Sequence, residues 1–429
     1  MKTRPVAVLI TASTPWPLSA RLAVRLIAHG CAVSALCPRG HVLNQVSGMG
    51  RIHHYGGPSS MAGVERAIRH ERPDLVVPSD DRAVWQLHEL HARRPDLQEL
   101  IEASIGRPEA FPVVGSRVAL LDLARRAGLR VPQTRPLHSE NDIHAWFREV
   151  PGTAVMKLDG TWGGRGVAFV ESVDQALASW RRFNAPQPLG LPLKRWVINR
   201  DPLAFWSGAR VSGRAVSIQR FIRGPQANAM AACWRGKVLG IVSAEVLCNQ
   251  GLTGASTIVR LIRNAEIAGA VEALVRDLGL SGFCGLDFVL EEGTGAAHLI
   301  ELNARCTQLG HLVLPAQGDL IGMLCNQLGA PGVSAAESPI DREIIAFFPQ
   351  SLAWNPDSPY MQQCHHDVPW SEPALVRELL LVPWAERRWL FRLYHRLRGR
   401  RAKPLPRAAS GAFRQLAAQH GFSSDLVES

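Results

Sequence analysis

Short apolar runs alternate with amphipathic stretches over the first hundred residues. Val6–Ile10 is a continuous apolar run, Leu18–His29 repeats apolar positions at helical spacing and stops at Gly30, and Ala32–Leu36 is a second run. Val64–His70 then reads as helix, Leu75–Val77 as strand and Arg82–His91 as helix. Strands separated by helices of about ten to fifteen residues predict a parallel sheet with right-handed crossovers. The first strand–helix turn, Thr11-Ala12-Ser13-Thr14-Pro15-Trp16-Pro17, lacks Gly-x-Gly-x-x-Gly and so argues against a standard dinucleotide site. The unit reads as Rossmann-like without its usual cofactor.

A different texture starts near Ser116. Val118–Ala127 is an amphipathic helix closed by Gly128, and Val131-Pro132 marks extended chain. Strands follow at Ala154–Lys157, Val167–Val170, Val216–Ile222, Ala229–Cys233, Val238–Ala244, Phe288–Leu290 and His298–Leu302, with one helix at Ala265–Leu278. That order predicts an antiparallel-rich α+β unit with long loops. Beyond about Pro331 the chain reads as loop rich in Pro, Trp and His, with a short helix at Gly411–His420.

Composition narrows the class. With 429 residues, 46% of them hydrophobic, the chain implies several packed units and rules out disorder as the main state. There is no apolar run long enough for a transmembrane helix, and the apolar start is too short for a signal-peptide core. The eight cysteines are scattered with no Cys-x-x-Cys pair, which fits free thiols in a reducing cytoplasm. His365-His366 beside Cys364 has no second pair at finger spacing and reads as loop. The net charge of +11 is local: Arg387 to Arg407 holds nine basic residues and no acid, and without them the chain carries only +2. Of 48 basic residues only five are lysines (2, 157, 194, 237 and 403), so a lysine inside a motif stands out.

Three stretches carry chemistry. Met156-Lys157-Leu158-Asp159-Gly160-Thr161-Trp162-Gly163-Gly164-Arg165-Gly166-Val167 puts a lysine on a strand ahead of a glycine-rich turn. Such a turn lets backbone N–H groups close on a small anion, and the lysine supplies a point charge; it also describes a plain hairpin with a solvated lysine. Downstream, Gly285-Leu286-Asp287-Phe288-Val289-Leu290 and His298-Leu299-Ile300-Glu301-Leu302-Asn303-Ala304-Arg305 read as two strands of a hairpin. Alternation puts Glu301 and Asn303 on one face, within reach of Asp287. Two carboxylates and an amide oxygen are hard ligands for Mg²⁺; the bland reading is a polar stripe on a half-exposed sheet. Between them lies Ser217-Ile218-Gln219-Arg220-Phe221-Ile222-Arg223-Gly224.

The order of these pieces behind a Rossmann-like unit resembles the ATP-grasp superfamily, from about residue 5 to residue 330. Pro73–Asp81 and Ala124–Pro132 also look like sequences of that family. The resemblance implies a Rossmann-like pre-ATP-grasp domain at 1–112 and a two-lobed ATP-grasp domain at 113–330. The latter would have its nucleotide lid at about 130–215 and its metal lobe at about 216–330. An extension at 331–429 would carry a basic amphipathic helix at 386–400.

Roles carry over position by position. Lys157 matches the lysine on the α- and β-phosphates, and Gly163, Gly164 and Gly166 match the loop above them. Gln219, Arg220, Phe221 and Ile222 match the hinge that pairs with adenine, with glutamine where glutamate is usual. Asp287, Glu301 and Asn303 match the ligands of two Mg²⁺ ions, for which Mn²⁺ is a substitute. Arg305 matches the arginine that steadies the acyl phosphate, and Arg117 falls where many members have Asp-Lys. In related enzymes the 249–260 loop lines the acceptor side, which makes Ser256, Thr257 and Arg260 candidates for holding a carboxylate. The implied activity is ATP-dependent ligation of a carboxylate to an amine or similar nucleophile through an acyl phosphate. A kinase-like phosphotransferase and a non-catalytic nucleotide-binding adaptor are the alternatives. The implied partners are small-molecule carboxylates and amines in the cytoplasm; homodimerisation is left open.

In the basic segment, Leu390, Leu393, Tyr394 and Leu397 form one stripe at helical spacing, and Arg388, Arg392, Arg396 and Arg400 form another. The stripe either docks on the body or, flanked by Trp389 and Phe391, meets an anionic membrane surface through residues 386–407. Nucleic acid is not expected, because the body adds little charge and no reading motif is present.

Overall fold

The computed structural model describes residues 4–56, 60–161, 166–186, 190–201, 203–205, 215–251, 253–315, 317–330, 340–381, 384–397 and 411–422. The chain begins with β1 (Ala7–Thr11), α1 (Leu18–Ala28), β2 (Ala32–Cys37), β3 (Ile52–His54), α2 (Ser60–Glu71), β4 (Leu75–Pro78) and α3 (Asp81–Arg93). The four strands form a parallel sheet in the order β3-β2-β1-β4, as the alternation of runs and helices predicts. β1 is apolar up to Thr11 because both faces are covered, Leu9 on one side and Val8 and Ile10 on the other. Asp80 caps α3 by accepting from the Ala83 N–H (3.1 Å) and also holds the Ser13 N–H and hydroxyl at 2.6 and 2.7 Å. The turn after β1 is thus tied to the start of α3.

A second sheet, in the order β5-β8-β6-β7, is built from β5 (Thr134–Leu137), β6 (Ala154–Leu158), β7 (Val167–Val170) and β8 (Val216–Arg220). Helices Glu140–Glu149 and Val173–Asn184 cover one face around the fully buried Trp146. Opposite stands a seven-stranded sheet. It contains β9 (Gln226–Trp234), β10 (Lys237–Asn249), β11 (Ser256–Ile262), β12 (Gly282–Leu290) and β13 (Ala297–Asn303). The Ala265–Leu278 helix packs on it, capped by Asn264 and ended by Gly279 in the left-handed region (φ 59°). After a two-strand ribbon, β14 (Val313–Leu314) and β15 (Gly318–Asp319), the Leu320–Leu328 helix packs against the other face.

The reading of residues beyond 331 as loop is corrected by the structure. β16 (Ile344–Phe347) pairs antiparallel with β11, and β17 (His365–Asp367) pairs parallel with β16, completing the order β13-β12-β9-β10-β11-β16-β17. His365 and His366 therefore lie on a strand. Among the described residues, the three ligand-type side chains close enough to share an ion are His53, His70 and Glu71, not this pair with Cys364. The strands are only three or four residues long, with prolines around them, and their partners are distant in sequence. All eight cysteines are free thiols, as expected, and no described helix is long and apolar enough to cross a membrane.

One core joins the segments. Val8 and Ile10 of β1, Leu320 and Leu324, Ile345 and Phe347 of β16, and Phe413 and Ala417 of the Gly411–Gln419 helix belong to a single buried cluster. A charged knot reinforces it: Asp367 of β17 accepts from Arg21 of α1 at 2.5 Å and lies 2.8 Å from His311 Nε2. Burial alone would raise the Asp367 carboxyl, but the Arg21 guanidinium and His311 hold it down at about 2. Asp367→Asn strands the Arg21 charge in the interior and is expected to cost about 3–5 kcal/mol in denaturant unfolding. Because the folded pKa is depressed, the contribution is present above the unfolded carboxylate range. It disappears as pH falls towards 2, so wild type and variant should converge in acid.

Candidate active site

Between the two antiparallel sheets runs a cleft of about 730 Å³, closed at one end by the β1–α1 turn and the start of α3. Lys157 enters it from β6, a central strand of the four-stranded antiparallel sheet, where it pairs with Val167 on one side and Ser217 on the other. The side chain is buried. Burial, followed by the nearby Arg117 charge, lowers its pKa to about 8, so it remains mostly protonated at neutral pH. Leu158 N–H donates to the Gly166 carbonyl at 2.8 Å, closing the stem of the glycine-rich turn. A Cβ on Gly166 would lie 2.0 Å from Thr161 Oγ1, so this glycine is required for close approach whatever the turn binds. Gly166 lines the cleft; Gly163 and Gly164 fall outside the described residues.

The acidic residues come from the facing sheet. β12 and β13 pair so that Asp287 stands directly opposite Glu301 and Gly285 opposite Asn303. A bulge follows, Phe288 pairing with Leu299, which leaves Ile300 as the extra residue. The bulge lets Ile300 and Glu301 both line the cleft while Leu299 stays in the core. On its other side Asp287 faces Asn228 of β9, whose amide donates to it at 2.6 Å. Burial and then the Glu301 charge push the Asp287 carboxyl up to about 6. Asn303 spends its amide N–H on Asp287 (3.2 Å), and its Oδ1 accepts from Arg305 (3.1 Å). Two facing carboxylates, of which Glu301 is ion-paired to Arg117, offer oxygen donors of the kind that suit a hard divalent cation. Asn303 as it stands bridges Asp287 to Arg305.

The arginines are held in place. Arg117, the first residue of the Arg117–Arg126 helix capped by Ser116, spans Asp159 at 2.5 Å and Glu301 at 3.0 Å. It therefore links the four-stranded antiparallel sheet to the acidic hairpin. Arg305 donates to both oxygens of Asp81 at 2.6 and 3.2 Å, so the first residue of α3 fixes its guanidinium. At the opposite end, Gln219, Arg220, Phe221 and Ile222 all line the cleft. Gln219 is buried and donates to Thr134 Oγ1 at 3.1 Å. The Arg220 and Phe221 N–H groups donate to the Gln133 and Thr153 carbonyls. Phe221 meets Phe169 edge-on with ring centroids 5.8 Å apart, which makes an apolar wall beside the hinge.

The acceptor-side expectations divide. Ser256 lines the cleft and donates to Gln308 at 3.0 Å and Asn228 at 3.4 Å. Thr257, next on the strand, is fully buried on the other face and donates to Asn355 at 2.5 Å. Arg260 lies four residues along β11 and faces Glu245 across the sheet at 3.4 Å, away from the cleft. Neither of these two joins the lining. Sequence reasoning missed Asn228, Asp81, Phe169 and Trp354, all of which line it. Asp81 lay in a stretch noted for its resemblance, but nothing local ties it to Arg305, 224 residues away.

Residues 205–308 match the family model described as the ATP-grasp domain. Solved structures with similar folds include N5-carboxyaminoimidazole ribonucleotide synthetase from Thermus thermophilus, at 16% identity and a TM-score of 0.55. That match covers 77% of this chain and 80% of the other. L-amino acid ligase from Bacillus licheniformis matches at 15% identity and a TM-score of 0.52, over 79% of this chain and 77% of that one. The biotin carboxylase domain of 2-oxoglutarate carboxylase from Hydrogenobacter thermophilus matches at 12% identity and 0.55, over 78% and 71%. A Rossmann-like sheet, a four-stranded antiparallel sheet and a larger, mostly antiparallel sheet are thus combined in a fold similar to those of these solved structures, and residues 205–308 resemble the ATP-grasp domain.

Proposed function

We propose that the protein is an ATP-dependent ligase that activates a carboxylate as an acyl phosphate and joins it to an amine or similar nucleophile. The observation that carries this reading is the convergence on one cleft of Lys157, the Asp287–Glu301 pair, Arg305 and the 219–222 hinge, contributed by both sheets. The biotin carboxylase relative was crystallised with MgADP and bicarbonate, which supports the same arrangement of nucleotide and small carboxylate-like acceptor here.

With the Arg220 and Phe221 N–H groups already engaged, adenine pairing at the hinge falls to the Arg220 carbonyl and the Ile222 N–H, beside the Phe169–Phe221 wall. Lys157 meets the phosphates as a buried positive charge, where attraction is strong because water is scarce. Asp287, Glu301 and Asn303 would hold Mg²⁺. Bound there, the metal would neutralise charge on the β- and γ-phosphates. Arg305, oriented by Asp81, faces the space where a carboxylate oxygen attacks the γ-phosphorus and ADP departs. The nucleophile then attacks the acyl carbon and phosphate leaves. Most of the rate enhancement in such a site comes from positioning and fixed charge.

The test is ADP release with ATP and Mg²⁺ against pooled carboxylates and amines, followed by mass spectrometry of products. A condensed product with equimolar ADP and phosphate is the expected result. A phosphorylated acceptor without condensation would make the protein a phosphotransferase. Nucleotide binding with no stimulated turnover by any pool would overturn catalysis.

A further inference from the structure

Among the described residues, eight large hydrophobic side chains are substantially exposed. Three of them, Phe169, Phe221 and Trp354, line the nucleotide cleft. The other five are Leu193, Trp196, Phe205, Trp389 and Leu393, each 46–66% exposed. They fall on just two stretches, 190–205 and the Trp389–Leu397 helix. An exposed apolar group confined to two elements is unusual for a surface that meets only water.

Each stretch sets its exposed apolar side chains among basic ones, Lys194, Arg195 and Arg200 in the first and Arg392 and Arg396 in the second. In the first stretch the Trp196 and Phe205 rings lie 6.0 Å apart. In the second, Trp389, Arg392, Leu393 and Arg396 are all exposed and follow i, i+3, i+4 and i+7, so they share one outward face. Leu390 and Phe391 are half-buried. Of the apolar stripe expected from sequence, Leu390 is half-buried and Leu393 is exposed among arginines, while the Tyr394 and Leu397 side chains lie outside the described ones. Residues 190–205 and 386–397 together carry seven basic residues against Asp201 and Glu386. Five more basic residues follow at 398–407, outside the described residues.

We propose that this two-part surface, Leu193–Trp196–Phe205 with Trp389–Leu393 and their flanking arginines and lysine, docks the protein on an anionic lipid bilayer. The chemistry selects that occupant. Tryptophan and phenylalanine suit the headgroup–acyl boundary, and the leucines beside them have hydrocarbon to enter. Basic residues around the rim meet the negative surface and are attracted to it within a Debye length. A second copy of the chain would bring like charges together, and nucleic acid offers no place for exposed aliphatic side chains. Asp201 gives the surface a structural link to the cleft. It accepts from Arg195 beside Trp196 at 2.6 Å and from Arg82 at 2.8 Å, and Arg82 lines the cleft wall.

Flotation of the full chain with phosphatidylcholine vesicles and with vesicles containing phosphatidylglycerol tests this without reference to ATP turnover. Binding to the anionic vesicles only, weakened by salt, is expected. Trp389→Ser with Leu393→Ser should lower partitioning roughly tenfold, as should Trp196→Ser with Phe205→Ser, because each pair removes buried apolar area from the bilayer. Unchanged melting temperatures would show both pairs folded, since all four side chains are exposed. No flotation on anionic vesicles, or wild-type flotation by both double variants, overturns the proposal. Retention of duplex DNA with no vesicle binding also overturns it, assigning the surface to nucleic acid.

Discussion

Glu301→Ala is expected to abolish turnover while leaving a folded protein. The side chain is 38% exposed and not part of a core, so its removal leaves no cavity. Arg117 loses one partner but keeps Asp159 at 2.5 Å, so the link between the sheets survives. What disappears is half of the facing carboxylate pair, the feature on which the proposed cation site rests. Loss of a charge-stabilising group at a reacting phosphate lowers kcat by roughly 10²–10³. Glu301→Gln should be nearly as damaging, because an amide keeps the shape without the charge. Stimulated ADP release and the unfolding midpoint, measured on the same preparations, decide the matter. An active Glu301→Ala enzyme would return the hairpin to a polar stripe.

Lys157→Met is the second large effect. The variant keeps the length and apolar stem of a buried side chain and removes its charge. Loss of a charge-assisted hydrogen bond to phosphate should weaken ATP binding by roughly 1.5–3 kcal/mol. Stability should move the other way or not at all. A lysine whose folded pKa is depressed to about 8 carries its charge at a cost to folding at neutral pH, so the neutral methionine avoids that cost. A weaker nucleotide affinity together with an unchanged or higher melting temperature is the signature of a binding residue. Equal affinity would mean that the glycine-rich turn is an ordinary hairpin.

Legibility of the site in the sequence followed the range of the physics. Lys157 and the 285–305 hairpin could be read because a strand period of two and a short connection fix which residues share a face. The register then made Asp287 oppose Glu301, although the bulge at Ile300 left no mark in the pattern. Thr257 was misplaced by overlooking that same alternation: if Ser256 faces the cleft, its neighbour faces the core. Arg260 shares the parity of Ser256 but stands too far along β11. Asp81 and Asn228 were invisible because their partners, Arg305 and Asp287, meet them only through tertiary pairing. Likewise β16 and β17 are too short to announce themselves, and it is the waiting edge of β11 that makes Ile344–Phe347 a strand.

The single cluster shared by β1, the Leu320–Leu328 helix, β16 and the Gly411–Gln419 helix bears on how the chain is made. A ribosome releases β1 and its parallel neighbours long before Phe413, which stacks against Phe348 and Trp370 on the same cluster, leaves the exit tunnel. The nascent Rossmann-like sheet can cover Leu9 early with α2 and α3, and Leu22 and Leu26 of α1 join Val8 and Ile10 on the other side, but that cluster gains Leu320, Phe347 and Phe413 only much later. Synthesis of this protein therefore passes through an interval in which one of the two clusters flanking the sheet is complete and the other lacks its distant members. A stalled or truncated product lacking residues 340–420 would be a chaperone client rather than a smaller enzyme.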